Sequence, residues 1–350
     1  MVSLMNDSLL VSSLQLAFWR SAEQHLADGT PVFVAFVAHH TAHSPGTTGA
    51  KLLVTREGDS FGTIGGGIME ADVVRMGRQW AVDGMARIEA HTLLHRKTGP
   101  GEKSGMICAG SQTNLYACWT ADQHLSLVRR ALELIAADGP AILHLSPDNA
   151  QIELPTGGGE LELTSFEDTD SDWHYREQLL NTRRLAIMGG GHCSLALCRV
   201  MQMMGYAITV FDTRPGVSTL EANIFASRII VTDHYSDRIA ELPYPELTPV
   251  IVMTSAAGTD VEAVRAVHPL PVPWIGIMGS EAKIAVTLNQ LDEISGTPID
   301  TSRLRAPVGI PIPSRTPEEI AISIAGQIIA EAAQENYSGR IEVTSPATLI

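Results

Sequence analysis

The sequence predicts an α/β protein in which a C-terminal Rossmann-type, doubly wound parallel sheet is joined to an N-terminal α/β domain. Short unbroken apolar runs recur from residue 184 onward, as expected for strands covered on both faces. The first run leads directly into three glycines and then a helix. A chain of 350 residues is long for one core and suits two. We expect an N-terminal domain, a linker, the Rossmann domain and a tail over residues 1–165, 166–182, 183–335 and 336–350.

Composition narrows the class of function. Apolar residues make up 45% of the chain and charged residues 18%, as in ordinary globular proteins. The formal net charge of -15 argues against nucleic acid or a membrane surface as the main partner. Anionic ligands would therefore be captured locally, by backbone amides and helix N-termini.

Cysteine usage and hydropathy predict a cytoplasmic location. The four cysteines form no CxxC pair and show no zinc-type spacing, which favours a reducing compartment. The apolar stretch from Leu9 to Trp19 lacks a basic segment before it and continues into Arg20 and Glu23, so we interpret it as an amphipathic helix ending near Gly29 rather than a signal peptide. No apolar run reaches the roughly 18 residues of a membrane span.

The N-terminal half alternates strands and helices. The helix after the glycine-rich loop should bury one face, because Val73, Gly77, Trp80 and Ala81 recur at helical spacing. Residues 151–173 indicate a hairpin followed by an acidic linker. The predicted strands cover 31–40, a stretch after residue 50, 114–119 and 141–145, and the predicted helices cover 69–82 and 125–137.

The C-terminal half predicts a parallel sheet. Its strands are expected at 185–188, 207–211, 228–231, 250–255 and 274–278. The final helix should begin with a capping box, in which Thr316 is the N-cap, Pro317 the first helical residue and Glu319 the reciprocal partner.

The glycine turn of residues 189–191 predicts a phosphate site. Glycines permit a tight turn and close approach of the backbone, a phosphate lies on the helix N-terminus, and an acid at the end of the next strand accepts hydrogen bonds from a ribose. The alternative keeps the fold with the pocket empty or differently filled. Arg214 either reaches a second phosphate or is a surface side chain. The candidate residues here are Gly189, Gly191, His192, Ser194, Asp212 and Arg214.

A second glycine-rich loop precedes the Met69 helix. Gly65, Gly66 and Gly67 predict a further set of free amide donors, and two such loops suggest a ligand with more than one polar end. Glu70 either complements the helix dipole or binds the ligand.

Two kinds of side chain are candidates for metal or thiol chemistry. Cys108, beside Gly110, either approaches a ligand or metal or is a small buried hydrophobe. Cys193 begins a helix, where the dipole would lower the pKa of its thiol, whereas Cys198 is a packing residue. The histidines at 39, 40 and 43 are expected to be solvated rather than ligating, because no Asp or Glu occurs from 31 to 56.

Several segments, taken together, resemble the XdhC/CoxI family of accessory proteins that mature molybdenum hydroxylases. They are "SPGTTGAKLLV", "GTIGGGIME", "GMICAG", "IMGGGHCSLAL", "VFDTRP", "WIGIMGSEAK" and "APVGIPIPSRTPEEIAISI", in family order from about residue 30 to 330. The chain departs from the usual family sequence at Gly46, where an arginine is common, at Ala109, where glycine is common, and at 312–314.

The resemblance implies a homodimer that binds the molybdenum cofactor, as molybdopterin or its dinucleotide form. Such a protein protects the cofactor while a cysteine desulfurase supplies its terminal sulfur, and delivers it to an apo-molybdenum hydroxylase of the xanthine dehydrogenase type. Cys108 would contact the molybdenum, and the second glycine-rich loop with Glu70 would hold the pterin or phosphate. Ser44, Lys51, Gly279 and Lys283 lie in the matching segments and join the candidate cofactor-binding residues.

Two other functions remain open. The Rossmann domain could hold NAD(P) in an oxidoreductase, although no Tyr-x-x-x-Lys pair is present and Lys283 is better interpreted as a cation at a helix start. The third is a nucleotide-sensing regulator, which would change its partner on binding the ligand.

Overall fold

The structure is a computed structural model that describes residues 14–41, 44–95, 110–155, 159–169, 172–335 and 340–343. The chain divides into two compact units. The N-terminal unit comprises residues 14–157 and 161–180, and the C-terminal unit comprises the chain from Asn181 onward together with residues 159–160.

The N-terminal unit contains two antiparallel sheets, ordered β3-β2-β1-β5-β4 and β7-β6-β10-β9. In order, the elements of this part of the chain are α1 (Leu14–Ala27), β1 (Val32–His40), β2 (Lys51–Val54), β3 (Ser60–Gly62), α2 (Gly67–Asp83), β4 (Arg87–His95), β5 (Gly110–Trp119), α3 (Ala121–Ala136), β6 (Ile142–Ser146), β7 (Asn149–Glu153), β8 (Gly159–Glu162), β9 (Thr164–Thr169) and β10 (Asp172–Gln178).

Strand β1 is covered on both faces. Successive residues of a strand point to opposite sides, so Val34 and Phe36 pack with α1 and α3, whereas Phe33 and Ala35 pack with α2. The predicted buried face of α2 is confirmed at Val73, Gly77, Trp80 and Ala81. An added side chain at Gly77 would lie 2.4 Å from the Phe33 ring, so glycine allows the helix to approach the sheet closely.

The expected linker at 166–182 is corrected by the structure. Residues Thr164–Thr169 and Asp172–Gln178 form β9 and β10, which pair antiparallel. The alternation of buried Trp173, Tyr175 and Glu177 with exposed residues is the strand pattern, and the acidic side chains that suggested a linker belong to the exposed positions.

The C-terminal unit contains a six-stranded parallel sheet in the order β13-β12-β11-β14-β15-β16, the doubly wound Rossmann order. All five predicted strands are confirmed, and β16 was not predicted. The elements are β11 (Arg184–Met188), α4 (His192–Met203), β12 (Ala207–Asp212), α5 (Ser218–Glu221), β13 (Arg228–Val231), α6 (Tyr235–Arg238), two short 3-10 turns (Ile239–Glu241 and Pro245–Leu247), β14 (Val250–Val252), α7 (Ala257–Val267), β15 (Ile275–Ile277), α8 (Glu281–Ser295), β16 (Leu304–Arg305), α9 (Pro317–Glu335) and β17 (Arg340–Val343), which pairs with β8.

The predicted capping box of α9 is confirmed. The Glu319 amide donates to Thr316 Oγ1 at 3.2 Å, and the Thr316 amide donates to Glu319 Oε2 at 3.0 Å. Within the described residues, no helix combines the length and apolar character needed to cross a bilayer.

Candidate functional site

The glycine turn of residues 189–191 lies where β11 ends, at the point where the strand order reverses between β11 and β14. Gly189 has φ +107° and an added Cβ would lie 2.8 Å from the Met253 carbonyl oxygen. At Gly190 an added Cβ would overlap the Leu220 side chain. The fold itself therefore requires glycine at the first two positions.

Gly191 differs from both. Its φ is -78°, and an added Cβ would meet no atom within 4 Å. Neither backbone conformation nor neighbouring atoms require glycine here, so the free space above the N-terminus of α4 is what the residue preserves. Within the part of the chain that the structure describes, no side chain caps this helix, and its first turn carries no acidic residue. The first amides of α4 thus offer an anion-binding arrangement.

Asp212 ends β12 as predicted, and it is 1% exposed. Its Oδ2 accepts from the Gly190 amide at 2.6 Å, and both carboxylate oxygens accept from the Arg214 guanidinium at 2.7 and 2.9 Å. Burial alone would raise the pKa of Asp212, but the hydrogen bonds from Arg214 and Gly190 lower it. The acid expected to face a ribose is therefore bonded to Arg214, whose side chain is 47% exposed.

The first residues of α4 take three different positions. His192 is exposed, whereas Ser194 is 1% exposed and lies on the buried side of the helix. The expected lowering of the Cys193 thiol pKa is wrong, because burial and the nearby Glu318 carboxylate raise that pKa. Cys198 is a packing residue as predicted, and burial raises the pKa of its thiol to about 11.

Lys283 is paired within the chain rather than free. Its Nζ lies 2.5 Å from Oδ2 of the fully buried Asp260 and donates to the Thr254 carbonyl oxygen at 3.1 Å. Thr254 Oγ1 donates to the other Asp260 oxygen at 2.6 Å. The aliphatic part of Lys283 passes close to Gly279, where an added Cβ would lie 3.0 Å from its Cδ. Sequence reasoning missed Asp260, whose position in the first turn of α7 was the available signal.

In the second glycine-rich loop, residues 63–67, side chains of the protein itself occupy the Gly65 and Gly66 amides, two of the three amides that were expected to be free. Glu70 Oε2 accepts from the Ile64 amide at 2.8 Å, from the Gly66 amide at 3.0 Å and from Thr63 Oγ1 at 2.6 Å. Thr63 Oγ1 in turn accepts from the Gly65 amide at 3.1 Å. The chain's own carboxylate occupies this loop, and Glu70 Oε1 has no hydrogen-bond partner among the described residues.

Ser44 belongs to a neighbouring loop, the Ser-Pro-Gly loop of residues 44–46. Its Oγ donates to Gln112 Oε1 at 3.0 Å, and Gln112 Nε2 donates to the Ile64 carbonyl oxygen at 2.9 Å. Gln112 thus joins the two loops, and sequence reasoning missed it. The signal available in the sequence was an amide side chain in a strand whose other residues are mostly apolar, "QTNLYACW".

Lys51 is also turned inward. Its Nζ forms an ion pair with Glu177 and donates to the Gly49 carbonyl oxygen at 3.0 Å, and both charged side chains are buried. Tyr175 donates to the second Glu177 oxygen at 3.1 Å. Burial and the Glu177 charge raise the Tyr175 pKa well above its usual value. This cluster holds β2 against β10.

The sequence predicts a metal contact for Cys108 and solvated side chains for the histidines at 39, 40 and 43. His40 Nδ1 accepts from the Thr48 amide at 3.0 Å, and burial together with His39 lowers the His40 pKa. Within the described ranges, no group of three or more His, Cys, Asp or Glu side chains could hold a metal ion. His43 and Cys108 lie outside the described residues.

The C-terminal unit has a nucleotide-binding class of fold. Its sheet has the Rossmann strand order, with a glycine turn at the point where that order reverses and a helix without a side-chain cap after the turn. Comparison with known families makes this specific. Residues 185–328 match the model of the XdhC Rossmann domain, and residues 25–92 match the model of the XdhC and CoxI family. The chain belongs to the XdhC/CoxI family, as the sequence segments predicted.

Individual relatives are distant. The chain is 28% identical over 156 residues to the uncharacterized protein YqeB of Escherichia coli, covering 42% of this chain and 27% of that protein. It is 23% identical over 183 residues to a probable xanthine dehydrogenase component of Bacillus subtilis, covering 52% of each. The chain thus spans about a quarter and about half of the curated relatives it matches.

One solved structure matches nearly the whole chain. It is a crystal structure from Bacillus halodurans described as a xanthine dehydrogenase, with a TM-score of 0.68 and 22% identity over 95% of this chain and 98% of that one. At this identity the match establishes the fold.

Proposed function

We propose that this protein binds the molybdenum cofactor and serves as a maturation chaperone for a molybdenum hydroxylase of the xanthine dehydrogenase type. It holds the cofactor while a cysteine desulfurase supplies the terminal sulfur, acts as a homodimer, and delivers the cofactor to the apo-enzyme. Family membership over both units supports this role, as does the Bacillus subtilis relative described as a probable component of xanthine dehydrogenase.

The observation that carries the proposal is the fixed carboxylate of Glu70. Three donors hold Oε2, so Oε1 is left as an oriented acceptor. A carboxylate accepts hydrogen bonds and repels phosphate. The aminopyrimidinone edge of a pterin presents N–H donors that match Oε1. We therefore assign the pterin, rather than its phosphate, to the loop of residues 63–67.

The α4 N-terminus suits a phosphate. Its amides are uncapped by the described side chains, and Gly191 leaves space beside them. We assign a nucleotide phosphate to this turn, with His192 exposed at its rim. Cys108 is proposed as the contact to molybdenum on the resemblance alone, and its position lies outside the described residues. When bound, the cofactor supplies the metal centre on which the sulfur is exchanged.

Mass spectrometry of small molecules released from the purified protein tests the proposal. Protein from a cofactor-producing host should release a pterin whose oxidised form fluoresces, and the apo-protein should bind cofactor released from a purified hydroxylase. Glu70→Gln should weaken that binding by at least about tenfold, since it replaces an acceptor by a donor. Asp72→Asn, which alters an exposed pair with Arg75 on the same helix, is the matched control. No pterin released and none bound would refute the proposal.

An NAD(P)-dependent oxidoreductase is the second candidate, and the α4 N-terminus is the observation that favours it. Asp212 weighs against it, because its carboxylate is already bonded to Gly190 and Arg214. Titration with NAD(H) and NADP(H) separates the two functions. Micromolar affinity together with hydride transfer would favour the enzyme.

A further inference from the structure

Gln112 lies at the junction of two loops that are far apart in sequence. It is 0% exposed on β5, where it is paired with His40 of β1 and Leu93 of β4. A primary amide buried in the middle of a sheet is costly unless all of its donors and acceptors are satisfied. The hydrogen-bond partners of this amide therefore indicate its structural role.

All four hydrogen-bonding positions of the Gln112 amide are used. Oε1 accepts from Ser44 Oγ at 3.0 Å and from the Gly46 amide at 3.1 Å. Nε2 donates to the Ile64 carbonyl oxygen at 2.9 Å and to Asn114 Oδ1 at 2.8 Å. A backbone amide can only donate and a carbonyl can only accept, so the amide cannot be flipped. One side chain thus joins the Ser-Pro-Gly loop to the loop of residues 63–67.

The two loops also meet backbone to backbone. An added Cβ at Gly46 would lie 2.4 Å from the Ile64 carbonyl oxygen, and one at Gly65 would lie 2.7 Å from the Gly46 nitrogen. At such separations the loops move together or the contact is lost. The Gln112 amide provides polar hydrogen bonds across this contact.

A second amide supports the first. Asn114 is fully buried, accepts from Gln112 and donates to Tyr116 Oη at 3.0 Å. A polar row therefore runs along one face of β5 and ends at the loops. It holds the Gln112 side chain from behind.

Ile64 connects this row to Glu70. Its carbonyl oxygen accepts from Gln112, and its amide donates to Glu70 Oε2 at 2.8 Å. We infer that Gln112 is a positioning residue that fixes the Ser-Pro-Gly loop against the loop of residues 63–67 and thereby sets the orientation of Glu70 for its ligand. The second half of this inference rests on the proposed function, whereas the first half does not.

Hydrogen exchange read by mass spectrometry tests the coupling of the loops without any ligand. Gln112→Met keeps the size of the side chain but removes all four bonds. Peptides covering residues 44–50 and 62–67 should both exchange at least about tenfold faster in this variant, which corresponds to roughly 1.4 kcal/mol of local stability. Thr113→Val is the matched control. It removes a buried hydroxyl from the neighbouring position of β5, which bonds Thr92 of β4 at 2.9 Å and contacts neither loop. Unchanged exchange in either loop would overturn the inference.

Gln112→Glu provides a second variant that differs by one atom. Its carboxylate places an oxygen against the Ile64 carbonyl oxygen, whereas the protonated acid can donate there. Burial raises the pKa of such a group. The ratio of variant to wild-type exchange at residues 62–67 should therefore be large at pH 8 and smaller near pH 5.5, where the protonated acid again donates to the Ile64 carbonyl oxygen. A purely structural defect would show no such rescue, and a ratio independent of pH would contradict the role of this bond.

Binding of cofactor released from a purified hydroxylase tests the link to Glu70. The Gln112→Met protein should bind it at least about tenfold more weakly than wild type, with an unchanged melting transition for the C-terminal unit. Faster loop exchange with wild-type affinity would refute the link to the ligand. If wild type itself binds no cofactor, the proposed function fails, and the exchange experiment still decides whether Gln112 couples the loops.

Discussion

The two glycine-rich loops of this chain precede helices in the same way, yet the protein uses their amides differently. At residues 63–67, Glu70 and Thr63 occupy the amides of Ile64, Gly65 and Gly66. At residues 189–191, the chain occupies the Gly189 amide through the Phe211 carbonyl oxygen and the Gly190 amide through Asp212. Among the described residues no side chain caps the helix that follows, and its first turn carries no acidic residue.

The difference teaches that glycine content does not define an anion site. Glycine supplies conformational freedom and close approach, but a carboxylate within one helical turn decides whether an incoming anion meets amides or a like charge. The loop of residues 63–67 consequently suits a ligand that donates hydrogen bonds, and the turn of residues 189–191 suits a phosphate. Substitutions at the two loops should reveal this contrast.

The largest effect is expected within the glycine turn of residues 189–191. Gly189→Ala would place a Cβ 2.8 Å from the Met253 carbonyl oxygen at φ +107°. Strain and overlap together should lower the free energy of unfolding of the C-terminal unit by at least about 2 kcal/mol. Urea denaturation followed by circular dichroism measures this change.

Gly191→Ala is the control for that substitution. Its Cβ would meet nothing within 4 Å, so stability should fall by no more than about 1 kcal/mol, the cost of alanine at an N-cap. Titration with ADP should nevertheless show affinity reduced by at least about tenfold. Equal destabilisation by the two substitutions would remove the distinction between structural and ligand-facing glycines.

The loop of residues 63–67 should respond to loss of the Glu70 carboxylate. Glu70→Ala leaves the Ile64 and Gly66 amides and the Thr63 hydroxyl without their acceptor. Lost hydrogen bonds at partly exposed groups should cost about 1 to 2 kcal/mol of unfolding free energy. Glu70→Gln should cost less, because its amide oxygen still accepts. If the two variants were equally stable, the carboxylate would not be what holds this loop.

Local signals predicted the fold well, and long-range pairing limited the prediction of the site. The capping box of α9 and the buried face of α2 depend on neighbours within one or two turns, so their residues could be named in advance. The Glu70 bonds are also local, and a glutamate three residues after a glycine run was the signal. The partner of Lys51, by contrast, lies 126 residues away, and no spacing rule reaches it.

Acid should weaken the glycine turn of residues 189–191 through Asp212. Its folded pKa is lowered from 3.8, so its contribution to stability is complete above about pH 5 and is lost as pH falls through 3.8 and then through the lower folded value. Asp212→Asn should remove this part of the pH dependence, which unfolding curves between pH 5 and pH 2 would detect. Asp72→Asn, on an exposed surface, should leave the dependence unchanged. If wild type and Asp212→Asn lost the same unfolding free energy between pH 5 and pH 2, the carboxylate would not be what anchors Gly190.

The smallest expected effect concerns the thiol at the start of α4. Burial and the Glu318 carboxylate raise the Cys193 pKa, although the position at a helix N-terminus would by itself lower it. Cys193 should therefore react with iodoacetamide at pH 7.5 several-fold more slowly than an unhindered cysteine, because the thiolate is the reactive form. Glu318→Gln should speed the reaction modestly, and peptide mapping by mass spectrometry separates Cys193 from the other cysteines. Rapid alkylation of Cys193 in the wild type would mean that the amides at the start of α4 affect the thiol more strongly than the Glu318 carboxylate does. The electrostatic difference between the turn of residues 189–191 and the loop of residues 63–67 would then be larger than their hydrogen bonds alone indicate.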